Sequence, residues 1–474
     1  MLKSGVPFPA VDRAQTTYYG ISYDNAKKMR QERLSPALFL YYKSPVMLNQ
    51  GHMQWIWDHT GKRYLDMYAG IVTVSVGHCH PKVNQAAREQ MDKLWHTTNI
   101  YMHPRIHEYA EKLTERLPGN LKVCFFCNSG SEANDLAMLM AKLYTGATDI
   151  ISLRNAYHGI NGCTVGLCGV GSWKFMVPGI SGIHHTMNPD PYKGLWGGSH
   201  CRDSPVQTQR QCSCETNQCQ ATNQYIEQLQ EIFKYSLPKK RIAAFFAESI
   251  QGVGGTVQFT KGYLKKAFEM VRERGGLCVS DEVQTGFVRT GSHYWGFQNH
   301  DVVPDIVTMA KGIGNGYPLA AVVTTPEISK TLSEATFFNT FGGNPVACAV
   351  GSTVLDIIDE EKHMENCNRI GKHLLDQLAK LRDEFEIVGD VRGKGLMIGV
   401  ELVTSKESKN PLPVSDMNDI FEDCKEMGLI IGKGGESGNV FRIKPPMCIT
   451  QADADFCVAV MRKAFSNYVQ RTNN

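Results

Sequence analysis

Long apolar runs are missing from this 474-residue chain. No stretch approaches the roughly 18 consecutive apolar residues that a membrane-spanning helix needs, and the N-terminal residues lack the apolar core of a secretory signal. Net charge is only +3, so the chain has no basic surplus to set against a phosphate backbone. Its local basic cluster, Lys239-Lys240-Arg241, reads as a solvated turn. Neither membrane nor nucleic acid is expected as a partner. A Walker A sequence is absent as well, because Gly312-Ile-Gly-Asn-Gly316 lacks the following Lys-Ser/Thr pair, and Gly252, Gly254 and Gly255 miss the dinucleotide-binding spacing. No internal repeat or low-complexity tract is evident. Residues 1–35 mix Lys3, Lys27, Lys28, Arg30 and Arg33 with Asp12, Asp24 and Glu32, a poor composition for a transit peptide, and an intracellular protein is expected.

Cysteine is not scarce, but a disulfide framework is not indicated. The 15 cysteines are an odd number spread thinly, which fits reduced thiols. One concentration stands apart: Cys201, Cys212, Cys214 and Cys219, within the polar segment His200–Gln220. That segment reads as a long loop or insertion in the large domain. It lacks the paired C-x-x-C knuckles of common zinc sites, so the expectation is a structural loop with free thiols and no bound metal. His78 and His80, just before Pro81, suit a turn into a helix with proline at its first position rather than a metal pair.

Strand and helix patterns alternate from about Val123 to Cys348, which predicts an α/β fold with a mostly parallel sheet. Strands are expected at Cys124–Cys127, Asp149–Leu153, Ala243–Glu248, Leu277–Asp281 and Ile306–Ala310, and helices at Glu132–Tyr144 and Gly262–Arg274. The last third changes character. A helix over Asn366–Phe385, a glycine-punctuated strand pair over Val388–Glu401, a helix near Asp416–Met427 and strands at Leu429 and Phe441 predict a smaller α+β domain. The division expected is 1–79 packing with the small domain, 80–350 as the large cofactor-binding domain (with the cysteine-containing insertion at 200–220), and 351–474 as the small domain.

Lys311 stands where an apolar strand gives way to glycines, and Asp281 ends another apolar run. In open α/β sheets, ligands gather beyond the carboxyl ends of strands. An amine and an acid at two such ends suit pyridoxal phosphate: the lysine forms a Schiff base with the aldehyde, and the aspartate keeps the pyridine nitrogen protonated. Taken singly, Lys311 could be a strand-end lysine with its head in water and Asp281 a helix cap. Asn128-Ser-Gly-Ser131 places small residues between a strand and a helix, where unpaired N–H groups and the helix dipole attract phosphate.

The combination of Asn128-Ser-Gly-Ser-Glu-Ala-Asn134, Tyr157-His-Gly159, Ser280-Asp-Glu-Val-Gln-Thr-Gly286, Lys311-Gly312 and Phe338-Asn-Thr-Phe-Gly-Gly-Asn-Pro345 resembles class III aminotransferases of the type I pyridoxal-phosphate fold. The likeness covers nearly the whole chain. Longer strings, Gly77–Val83, Trp196–Val206 and Gly389–Gly399, resemble the mitochondrial alanine–glyoxylate branch of that family. The resemblance implies that Lys311 carries the cofactor and Asp281 pairs with its pyridine nitrogen. Gly130 and Ser131 would take the phosphate through backbone donors, with Thr340 reaching it from a neighbouring subunit. Tyr157 and Val283 would flank the ring, Gln284 would lie near its hydroxyl, and His158 and Glu248 would complete the cofactor-binding set. Arg442 would bind the substrate carboxylate as a planar fork, with Ile71 beside the substrate. Relatives that accept a distal amine mask this arginine with a glutamate in a Gln-Gly-Glu string. Here the string is Gln251-Gly-Val253, so nothing anionic from that position covers Arg442. Ser249 stands where such strings usually have proline.

On family grounds, then, the expected reaction moves the amino group of L-alanine to glyoxylate, giving pyruvate and glycine, with β-aminoisobutyrate or methylated arginines as further donors. The expected assembly is a homodimer or tetramer with a shared active site, and the expected compartment is mitochondrial, with the cytoplasm as alternative. The rival reading is a pyridoxal-phosphate lyase acting on amino-alcohol phosphates, which would need a second anion site; no extra basic cluster is evident near the motifs.

Overall fold

The computed structural model describes residues 6–175, 181–215 and 219–473. Lys3 and residues 216–218 of the cysteine-containing segment lie outside them.

A seven-stranded sheet organises the central part of the chain, in the spatial order Val123–Cys127, Ala320–Thr324, Ile306–Met309, Leu277–Asp281, Ala244–Glu248, Ile150–Leu153, Ile183–Thr186. All run one way except Ala320–Thr324, which is antiparallel to both of its neighbours. Side chains alternate between the two faces, as period-two geometry requires. Phe246, Val279 and Val322 pack with Ala133, Ala137 and Ala141 of the helix Gly130–Thr145. Phe245, Cys278 and Val323 point into the larger core on the opposite face. The alanines recur every fourth residue and let that helix lie close on the sheet. Burial on both faces makes these strands near-continuous apolar runs.

The helix begins at Gly130, two residues before its expected start. Ser129 is the cap, accepting from Glu132 N at 3.3 Å, and the Glu132 carboxylate reaches back to Asn128 N at 3.0 Å. The cap draws the small residues into the first turn, where N–H groups lack intrahelical acceptors.

Two four-stranded sheets flank this core. Leu48–His52, Trp55–Asp58 and Arg63–Asp66 form an antiparallel meander, and Leu429–Ile430 adds to it in parallel beside Arg63–Asp66. Val388–Lys394, Met397–Leu402, Val440–Ile443 and Gly432–Gly434 form the other sheet. Between its first two strands, Gly395 takes φ +56° in the tight turn, and an added Cβ would fall 2.4 Å from the Thr290 backbone. The helices His363–Glu384, Val414–Glu426 and Gln451–Thr472 cover this end of the molecule. The first starts a turn earlier than its apolar pattern suggests, after Lys362 in the left-handed region. The paired histidines have separate partners: His78 Nε2 lies 2.7 Å from Asp66 and His80 Nε2 lies 3.0 Å from Glu361.

Candidate active site

The parallel strands deliver their chemistry at one edge. Register sets Glu248 beside Asp281 and Asp281 beside Thr308, and Lys311 follows just past the end of the next strand. A cavity of about 360 Å³ opens there, lined by Gly130, Ser131, Tyr157, His158, Glu248, Asp281, Val283, Gln284 and Lys311. Nine residues expected from the sequence thus meet in one place.

Asp281 is the floor of the site. It is buried, and its Oδ2 accepts from Asn134 Nδ2 at 2.9 Å and from His158 Nδ1 at 2.8 Å. Its Oδ1 accepts from Val283 N at 3.1 Å. The Asn134 amide is oriented by Thr308, whose hydroxyl donates to Asn134 Oδ1 at 2.8 Å, which turns the NH₂ group to Asp281 and to the His158 carbonyl. Burial alone would lower the His158 pKa, but the hydrogen bond and charge of Asp281 outweigh it and the value is raised. Burial raises the Glu248 carboxyl, with His158 opposing. Glu248 accepts from Tyr157 N at 3.1 Å and Gly252 N at 2.6 Å, tying together the chain segments on either side of the cavity.

Lys311 adopts φ +51° immediately after the strand, a conformation uncommon for a residue with a Cβ and one that clusters at functional positions. Burial lowers its amine to about 8, with Arg442 adding to the fall and Asp281 and Glu248 resisting it. The lowered value raises the fraction of neutral amine, the form that acts as a nucleophile.

The phosphate-sized end of the cavity is built by close approach. A Cβ on Gly130 would sit 3.1 Å from both Val283 methyls, and one on Gly159, at φ +112°, would sit 2.4 Å from Ser131 Oγ. Tyr157 is supported edge-on by Trp173, with ring centroids 5.1 Å apart. Unpaired helix N–H groups, a buried acid, an aromatic face and an amine of lowered pKa together fit pyridoxal phosphate.

Arg442 lies behind this cavity rather than in its wall. It is buried, donating to Tyr68 OH at 3.0 Å and Gln284 Oε1 at 3.2 Å, and its Nε has no partner among the described residues. No carboxylate appears among these contacts. Lys444 was not anticipated from the sequence: fully buried, it donates to Gln284 Oε1 at 3.0 Å and Gly252 O at 3.3 Å. Burial pushes its amine well below the ordinary lysine value, with Arg442 adding to the effect. Alternation on the strand Val440–Ile443 marks Arg442 as a polar residue in an apolar run, and Lys444 repeats the anomaly two positions on. Asn134 carried the same kind of signal, a polar side chain on the buried face of a helix.

Besides Arg442, two expected residues lie outside this cavity, one of them, Thr340, having been expected to serve a neighbouring subunit. Ile71 is 40% exposed in a left-handed turn, and Thr73 is the residue of that turn that lines the site. Thr340 is exposed at the surface, while its neighbour Asn339 bonds the phosphate-end loop through Asn128 at 3.1 Å and Glu132 at 3.2 Å. Ser249, at the usual proline position, donates to buried Glu282 at 2.6 Å.

Comparison with known proteins accords with this geometry. The family model described as aminotransferase class III matches residues 41–465. The chain is 57% identical over 464 residues to human alanine–glyoxylate aminotransferase 2, mitochondrial, covering 98% of this chain and 90% of that one. Among solved structures, it resembles a thermostable (S)-enantioselective omega-transaminase from Thermomicrobium roseum, with TM-score 0.85 and 32% identity, covering 95% of this chain and 100% of that one. A phospholyase from Arthrobacter in complex with phosphoethanolamine aligns with TM-score 0.82 and 31% identity, over 93% of this chain and 99% of that one. With a lysine, a buried aspartate and a phosphate-sized cradle at one sheet edge, and a family match over most of its length, the chain belongs to the class III aminotransferases.

Proposed function

We propose that this protein is a pyridoxal-phosphate-dependent aminotransferase that moves the amino group of L-alanine to glyoxylate, yielding pyruvate and glycine. The observation that carries the reading is the placement of Arg442 behind the Lys311–Asp281 cavity with neutral partners only. Such a guanidinium can exchange Gln284 for the carboxylate shared by alanine, pyruvate, glyoxylate and glycine. When bound, the cofactor supplies an electrophilic aldehyde and a ring that accepts an electron pair. Asp281, fixed by Asn134 and His158, holds a proton on the ring nitrogen. Lys311 Nζ would take up the substrate α-proton and hold it for redelivery. Gly130 and Ser131 N–H groups would anchor the phosphate, and Tyr157 and Val283 would flank the ring.

The lyase reading requires a second anion site. Lys444 is the added cation near Arg442, and it donates to the same Gln284 Oε1 and to the Gly252 carbonyl. The purified enzyme should form pyruvate from alanine over many turnovers only when an amino acceptor such as glyoxylate is supplied, with at most one equivalent per site without it, and release no phosphate from phosphoethanolamine. Phosphate release matched by ammonia, without transamination, would reverse the assignment. Arg442→Ala should raise the KM for alanine and for glyoxylate by about 10–100-fold, in line with the roughly 1.5–3 kcal/mol of a charged hydrogen bond; steady-state kinetics with unchanged KM for both would remove its role.

A homodimer with a shared site is part of the proposal. Exposed apolar side chains surround Thr340, including Phe338 and Phe341, and others are exposed on the segment before Pro104, where Met102 is 89% exposed. Apolar clusters of this kind mark contact surfaces. A mitochondrial location is proposed from the relative's name; no helix among the described residues is long and apolar enough to cross a membrane.

A further inference from the structure

The cysteine-containing segment brings several thiols together. Between the strand ending at Thr186 and the helix starting at Gln220, its described residues form no helix or strand. Loops of such length are uncommon unless something holds them. Cys201, Cys212 and Cys214 bring their sulfur atoms within 4.8 Å of one another, and Cys201 Sγ lies 3.6 Å from Cys214 Sγ. Cys219, the residue preceding the helix Gln220–Tyr235, stands outside this trio but close enough to Cys201 for their thiols to influence each other electrostatically.

These separations discriminate between kinds of thiol cluster. A disulfide would hold its sulfurs about 2.0 Å apart. Four thiolates at about 2.3 Å from a tetrahedral zinc ion lie about 3.8 Å from one another. The backbone is shaped to the cluster as well. A Cβ on Gly198 would fall 2.1 Å from Cys212 Cβ and 2.6 Å from its sulfur, so only glycine admits Cys212 at this place. Cys214 Sγ accepts an N–H from Gln220 at 3.3 Å, the role a metal-bound thiolate plays toward its outer hydrogen-bond donors.

We infer that Cys201, Cys212, Cys214 and Cys219 form a structural zinc site, with all four positions filled by thiolate and none open for catalysis. This replaces the expectation of independent free thiols: a C-x-C pair with single cysteines on either side reaches by folding what paired knuckles reach by sequence spacing. Each thiol gives up its proton as the ion binds. The site pins the segment between two parts of the molecule. Next to Cys201, buried Arg202 makes a paired contact with Asp390 at 2.7 and 3.0 Å on the strand Val388–Lys394, while Cys219 leads directly into the helix Gln220–Tyr235.

The test is metal analysis of the holoenzyme purified without chelator, together with cobalt(II) exchange under reducing conditions. About one zinc per chain is expected, with cobalt giving the absorption of a tetrahedral thiolate site. Cys214→Ser and Cys212→Ser should each lower the zinc content severalfold, while Cys163→Ser, at an exposed thiol outside the cluster, should leave it unchanged. Retention of the cofactor's visible absorbance shows that a variant has folded. If a variant loses both metal and cofactor, cobalt exchange on the unmodified enzyme decides. Less than about 0.1 zinc per chain with no cobalt uptake would overturn the inference, as would full zinc retention in both Cys212→Ser and Cys214→Ser. Because cofactor binding and turnover are read separately from metal content, failure here is distinguishable from failure of the aminotransferase reading.

Discussion

Lys311→Ala is expected to reduce multiple turnover by at least ~10⁴-fold, the upper range for a positioned proton-transfer group, and to abolish the visible absorbance of covalently held cofactor. Both losses would follow from one atom, since the proposal gives the same amine the cofactor and the substrate α-proton. Steady-state kinetics and an absorbance spectrum on the same sample check the two parts together; near-normal turnover would sink the assignment. A pH dependence accompanies it. Burial lowers the Lys311 amine to about 8, against an ordinary value of 10.5, and only the unprotonated amine attacks an aldehyde. The rate at which cofactor-free protein captures pyridoxal phosphate should therefore rise about tenfold per pH unit up to a midpoint near 8, then level off. A midpoint above 10, followed by rapid-mixing absorbance, would mean that the cavity does not perturb this lysine.

Asp281→Asn should lower kcat by ~10²–10³-fold, the scale for removing one preorganised electrostatic partner, with a much smaller change in KM. The amide is nearly isosteric but cannot stabilise a proton on the ring nitrogen by charge. It also removes the negative charge that holds His158 above its ordinary pKa. Histidine NMR should show that value falling, since burial would then act unopposed. An Asn variant with unchanged kcat would refute the ring-nitrogen role, and an unmoved His158 would refute the electrostatic link.

Lys311 and Asp281 were legible in the sequence because each interrupts an apolar strand, and an interruption at a strand end needs a reason. The central sheet was legible for a related cause: burial on both faces turns its strands into short apolar runs bounded by turns. Arg442 and the Gly130–Ser131 turn came through family strings. Lys444, Tyr68 and Asn134 did not, because their roles depend on a partner from a distant segment, as with Arg442 and Tyr68, 374 positions apart. The exposed placement of Thr340 illustrates a different limit: a residue proposed to serve a neighbouring subunit has no contact within its own chain that its surroundings in sequence could reveal. For the cysteines, linear spacing shows no metal signature, whereas the fold brings the sulfurs of Cys201, Cys212 and Cys214 within 4.8 Å of one another, which is what the zinc proposal rests on.

The one reversed strand of the central sheet, Ala320–Thr324, lies hydrogen-bonded beside Ile306–Met309. A parallel neighbour would have demanded a long crossover after Lys311; the reversal brings the chain back within a few residues, through Tyr317 and Leu319, which also wall the cavity. The reactive nitrogen is thus held on a short leash, anchored fore and aft to the stiffest layer of the molecule. In the proposed reaction, moving that nitrogen between acid and base duties would need rotation about the bonds of its own four-carbon tether.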